Sequence, residues 1–257
     1  MRKSPRLGLV SSGSFPAAPL LGAPELLAAL GPVLATTFRI GNRLVNSLAA
    51  GRAVRGYKEF GDCDLILISA PPARLAGIVH EFCAAAKHWN GKSFVLYQCG
   101  RDSRALEPLA GRHATGSMDC LEYFEPPRYV LEGDSRAVRE CRNLLPRSGV
   151  IEIRAGKHLL FTAGESLAST TLIPLLEAAA ACLWLSGVDR RTAMEILDAL
   201  VRLNLRAYLR AGRKAWKRPA GVWQEQFQAL SHSNPRLAAF FQGSFDNASK
   251  LLEGDSK

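Results

Sequence analysis

The sequence lacks the groupings that mark metal-binding, nucleic-acid-binding or membrane proteins. Its six cysteines, at 63, 83, 99, 120, 141 and 182, include no pair at the short spacing of a structural zinc site, and the five histidines do not cluster with them. No metal is expected, and scattered single thiols suit a reducing compartment. The opening MRKSPRLGLVSSGSF carries cations but no long apolar core of a secretory leader. The most apolar stretch, Thr171 to Val188, is interrupted by Pro174 and Glu177 and is short for a membrane span, so it reads as a buried core helix. A cytoplasmic protein without a membrane partner is the expectation. Neither a zinc-finger spacing nor an aromatic–basic ribonucleoprotein signature is present, so the net charge of +10 does not by itself point to nucleic acid. The surplus reads mostly as a solvated surface, part of which could line an anion pocket.

Two further absences are local. No Asp or Glu lies between Val33 and Lys58, and no strand-like run follows Arg154. The second absence divides the chain. Before it, β-like runs alternate with helical ones: Leu7 to Val10, a helix at Pro24 to Leu30, a strand at Val33 to Phe38, a helix at Asn46 to Arg52, and the aliphatic run Asp64 to Ser69. Helix Arg74 to Lys87, strand Ser93 to Tyr97, strand Arg128 to Glu132, helix Ser135 to Leu145 and strand Val150 to Arg154 continue the series. Such alternation implies a mostly parallel sheet with crossover helices. After Gly156 only helices are expected: Leu159 to Ser186, Arg190 to Ala211 between an Asp189 cap and Gly212, Trp223 to Ala229, and Pro235 to Gln242. The reading is therefore an α/β domain over 1–155 and an all-helical domain over 156–257. A helix apolar on every side needs partners on every side, and a second copy of the chain is the natural supplier, so a homodimer is expected.

The ordered pieces DLILISAP (64–71), VLYQCG (95–100), GSMDCLEYF (116–124), YVLEGD (129–134) and AGKHLLFTAGESLAST (155–170) resemble a family of Rossmann-like proteins. The C-terminal domain of that family, of unknown function, is related to those of 6-phosphogluconate dehydrogenase and pyrroline-5-carboxylate reductase. The resemblance reaches to about Gln242. It implies a Rossmann-like, mostly parallel sheet domain followed by an all-α domain like that of 6-phosphogluconate dehydrogenase, the second serving dimerisation and the substrate side. It also implies a nicotinamide dinucleotide and an oxidoreductase activity.

On that resemblance the phosphate loop falls on Ser11, Ser12, Gly13 and Ser14. Only the middle glycine of the G-x-G-x-x-G trio is kept, with Ser11 and Pro16 at the other two positions. Ala70 and Pro71 follow the strand that closes the first half. The second-strand exit, Phe38 to Arg43, offers Arg39, Asn42 and Arg43 where an NAD enzyme commonly has an acid. Arginines there suit the 2′-phosphate of NADP, which is favoured over NAD; the alternative is plain surface arginine. The reaction side has also changed. Tyr97 and Asp119 stand where the family has histidines, Cys120 replaces a proline, and the His and Asn at the entry to the helical domain fall at Phe161 or Thr162 and at Thr170.

The residues placed on the substrate side are Cys99, Gly100, Ser117, Glu122, Thr162 and Thr170. Asp119 and Glu165 are candidate proton donors, and Lys157 could stabilise an oxyanion. Either carboxylate could equally be a helix cap or a surface charge. The arginines 202, 206, 210 and 213 with Lys217 follow helical spacing and read as a solvated face. Two functions follow: an NADP-dependent reductase of a small, anionic substrate, or a catalytically degenerate binding or scaffold protein on the same fold, with or without a cofactor, that dimerises through its helices.

Overall fold

The computed structural model describes residues 6–12, 23–146, 149–216 and 222–253. The chain forms two compact units, residues 1–164 and 165–257.

The first unit is built on one eight-stranded sheet in the order β3-β2-β1-β4-β5-β6-β7-β8. The strands are β1 Leu7–Ser11, β2 Leu30–Ala35, β3 Arg52–Ala53, β4 Leu65–Ser69, β5 Ser93–Tyr97, β6 Ala114–Leu121, β7 Arg128–Gly133 and β8 Val150–Glu152. All neighbours pair parallel except β6 with β7. Among the described residues the helices between them are α1 Pro24–Ala29, α2 Phe38–Leu48, α3 Pro72–Ala85 and α4 Ser135–Arg142. The α/β class expected from the alternating pattern is what the chain adopts.

Alternation along the strands sorts the core into two faces. Leu7, Leu9, Leu65, Leu67, Val95 and Met118 pack towards α1, α2 and α4. Val10, Ile66, Ile68, Phe94 and Leu96 pack towards α3 and the 3-10 turns Tyr57–Phe60 and Ser103–Leu109. Phe82 of α3 is fully buried on this second face, edge-on to Tyr57, Phe60 and Phe94.

The second strand lies three residues earlier than the β-branched run suggested. It ends at Ala35, and α2 starts at Phe38, well before Asn46. The cause is Thr37, whose hydroxyl accepts the Ile40 N–H at 3.3 Å and caps the helix there. Strand β6 was not foreseen: its Ser117 and Asp119 interrupt the apolar run expected of a strand with neighbours on both sides.

The chain enters helix α5, His158–Ala168, turns at 169–171, and continues as α6, Leu172–Leu185. Pro174 falls in the first turn of α6, where a missing N–H costs nothing. The stretch His158–Leu185 is long and apolar enough to cross a membrane by length and composition alone. The second unit adds α7 Arg190–Ala211, α8 Trp223–Ser233 and α9 Pro235–Glu253. The Asp189 cap of α7 is as expected, its carboxylate accepting the Arg191 and Thr192 amides. Trp223 stacks on Phe245 at 4.9 Å. The expectation of a buried core helix at 171–188 is corrected: Ala180 is the one buried residue recorded for α6, and Ile173, Leu175, Trp184 and Leu185 are exposed. Among the described residues, the other helices of this unit leave those apolar side chains exposed.

Candidate functional site

In an open, doubly wound sheet the strand order reverses beside β1, whose neighbours β2 and β4 lead away to opposite edges. The carboxyl ends of the strands there leave a crevice that helices cannot fill. A cavity of about 380 Å³ lies at this place, lined by Ser11 at the end of β1 and Ser12 after it, Ala35 at the end of β2 and Thr36 after it, and Arg55 and Arg74. Tyr57, Gly77 and Glu81 also border it, with Val10, Leu34 and Ile78 as its apolar floor. Arg55 stacks on the Phe38 ring at 4.2 Å, and its amide is held by the Glu59 carboxylate at 2.9 Å. Glu59 also takes Arg52 Nη1 at 2.9 Å, so the acid nearest this arginine is already engaged.

The expected phosphate loop is described only in part. Ser11 is buried and Ser12 half-buried, and the Ser12 N–H donates to the Ser69 carbonyl at 2.8 Å, tying the end of β1 to the end of β4. Gly13, Ser14 and Pro16 lie outside the described residues. Ala70 is buried and Pro71 caps α3. Arg39, Asn42 and Arg43 do not sit in a strand exit. They are exposed on the first turns of α2 and are not among the residues lining the cavity, where Arg55 and Arg74 stand instead.

A second polar cluster lies on the second face of the sheet, where β5, β6 and β7 end or begin. Asp119 on β6 meets His158, the first residue of α5, with Oδ2 at 2.7 Å from Nε2. The imidazole is fully buried, whereas the Asp119 side chain keeps 18% of its surface exposed, so Asp119 is the member of the pair that a ligand can reach. Behind them Glu132 of β7, 1% exposed, accepts four hydrogen bonds: from the Ser103 amide and hydroxyl, the Ser117 hydroxyl and the Gly156 amide, all at 2.6–2.9 Å. Beside them Asp102 accepts from Arg104, which holds its carboxyl below the usual range.

The remaining candidates separate. Cys99 is buried, its sulfur accepting the Ala70 amide at 3.3 Å and donating to the Ile68 carbonyl at 3.1 Å. Burial pushes its thiol up, so it knots β5 to β4 rather than offering a thiolate. Gly100 is exposed with φ +58°, and Gln98 at φ +52° donates to the Cys120 carbonyl. Glu122 and Lys157 are exposed. Thr162 bonds back to Leu159 within α5. Glu165 and Thr170 belong to the second unit. Tyr97 is wholly buried in the core. Among the described residues no group of His, Cys, Asp and Glu could hold a metal ion.

Arg55, Arg74, His158 and Glu132 were missed from sequence. His158 had a signal: it lies three residues before Phe161, where the family pattern placed a histidine. Arg55 and Arg74 had none, since they reach the crevice from separate elements.

No protein-family model and no curated protein matches the sequence. Solved structures do. The chain superposes with a TM-score of 0.68 on an imine reductase from Myxococcus stipitatus in complex with NADP+, at 11% identity over 98% of this chain and 95% of that one. A reductive aminase from Aspergillus terreus, in complex with NADPH and ethyl levulinate, gives 0.67 at 11% identity over 98% and 95%. A pyrroline-5-carboxylate reductase from Coxiella burnetii gives 0.55 at 12% identity over 99% and 100%. At these identities the likeness is one of fold: a Rossmann-like domain followed by a helical one.

The burial of Cys99 has a direct consequence. Its raised pKa keeps it a thiol at pH 8, and alkylation there requires opening of the β4–β5 ends. Iodoacetamide treatment of the native protein at pH 8 followed by peptide mapping should leave Cys99 unmodified; labelling as fast as that of a free thiol would contradict the placement.

Proposed function

We propose that this chain is an NADP-dependent reductase acting on a small anionic carbonyl or imine compound. The observation that carries the reading is the crevice at the ends of β1 and β2, walled by Arg55 and Arg74, beside a second strand whose exit has no acid. An acid there would favour the ribose hydroxyls of NAD, whereas two guanidinium groups favour a phosphate. The fold neighbours crystallised with NADP+ or NADPH support the same cofactor class. These residues fit the group: Ser11 and Ser12 would border its pyrophosphate side and Arg55 with Arg74 its adenosine phosphate. The bound cofactor would supply a hydride. The chain's own part is to bind the anion and to hold a proton at the Asp119 carboxyl, with the His158 imidazole fixing that carboxyl from the buried side.

The second reading is a catalytically degenerate scaffold. It is favoured by the worn glycine loop and by the Ser12 amide, which is spent on Ser69 and cannot also serve a phosphate. Both readings share the expected homodimer, whose interface we place on α6. The helix is apolar around its circumference, and a membrane surface would cover one side of it only, whereas helices of a second copy cover several.

Calorimetry separates the two functions. NADPH should bind at micromolar concentration and NADH at least about tenfold more weakly, a difference of about 1.4 kcal/mol. Arg55→Ala should erase most of that preference while leaving NADH unchanged. Absence of binding by either dinucleotide would overturn the reductase reading and leave the scaffold. For the interface, light scattering on the eluted full chain should give twice the chain mass. A monomer, or a protein recovered only with detergent, would refute the assignment of α6 to a second copy.

A further inference from the structure

A carboxylate 1% exposed is costly unless donors surround it, and an apolar side chain would fill the same space between strands more cheaply. Glu132 is therefore a residue whose presence needs a reason. The sheet is paired on both sides of β7 without it, so strand pairing does not supply one.

The arrangement of its donors does. Oε1 accepts from the Ser103 N–H at 2.6 Å and the Ser117 hydroxyl at 2.7 Å. Oε2 accepts from the Gly156 N–H at 2.6 Å and the Ser103 hydroxyl at 2.9 Å. Ser117 stands two residues before Asp119 on β6, so both side chains leave the same face of the sheet. Gly156 stands two residues before His158, in a turn closed by the Lys157 N–H on the Arg154 carbonyl at 3.1 Å and requiring φ +70° at the glycine. One carboxylate thus grips the strand that carries Asp119 and the turn that carries His158. Arg104, paired with Asp102, lies against Gly156 from the other side.

We propose that Glu132 is the positioning residue of the Asp119–His158 pair: it sets the distance between the β6 carboxylate and the imidazole at the start of α5 without touching either. The inference rests on the reading of that pair as the proton-handling group. The role demands a carboxylate. Each oxygen faces one backbone N–H, so in a glutamine either orientation of the amide sets an NH2 group against an amide donor. The segment so opposed, Ser103 or Gly156, must then move away.

The test uses the full chain with 15N-labelled histidines. Long-range proton–nitrogen correlation resolves the five rings, and His158→Gln assigns one of them. In Glu132→Gln the His158 ring resonances should move while the others stay. With NADPH and a cyclic imine as probe, kcat should fall at least about tenfold while the KM and the NADPH Kd stay within about twofold. If Glu132→Gln does not unfold cooperatively, Ser103→Ala is the deciding variant. It removes one hydroxyl donor and leaves both amides, and it should move the same ring resonances by a smaller amount. Unmoved His158 signals in the variant that folds would overturn the proposal and reduce Glu132 to a structural buried acid. If the wild-type protein turns over no imine, the reductase reading fails, and the ring resonances still decide whether Glu132 places His158.

Discussion

A strand paired along both edges and covered on both faces has no side chain free for chemistry. Strands β1, β4 and β5 are in that condition, because the sheet is parallel there and the crossovers place helices or 3-10 turns on its faces. Polar function is thereby driven to the strand ends and to the edge beyond β5. Both polar regions of the first unit obey this constraint. The arginine-walled crevice occupies the carboxyl ends of β1 and β2, and the Asp119–His158 pair lies where β6 meets the chain leaving β8.

The two regions differ in how they handle charge. In the crevice the arginines keep their solvent contact; Glu59 is engaged by Arg52 and by a backbone amide, and Glu81 of α3 is the carboxylate that stands in the wall. In the cluster the charges are taken out of water. Asp102 and Glu132 are buried to within a few per cent, and each is supplied with donors, which is what makes the burial tolerable. A buried network of this kind is rigid because every partner is spoken for.

The sequence carried the architecture through its periodicity. Aliphatic runs such as Leu65–Ser69 and Ser93–Tyr97, short and bounded by turn residues, read as buried strands and are strands, and the Asp189 and Gly212 punctuation brackets α7 as expected. It misplaced the second strand because Val, Thr and Phe favour β structure locally, while the decisive event was one hydroxyl capping α2. It hid β6 because the polar residues that make the cluster also erase the apolar signature of a strand. Asp119 was singled out through family order, yet its hydrogen-bond partner was not, since contact between positions 119 and 158 depends on the whole turn of chain between them. Glu132 was invisible for the same reason: its donors come from residues 103, 117 and 156.

On the proposed function, the ends of β1 and β2 form a site for a phosphorylated dinucleotide. Hydrogen–deuterium exchange of the full chain with and without NADPH tests it most directly. The account predicts slowed exchange concentrated at amides of residues 10–12, 34–36 and 55–57, with NADH giving a weaker pattern in the first two segments and little at the third. Unchanged exchange at these segments under saturating NADPH, or protection confined to other strands, would contradict it.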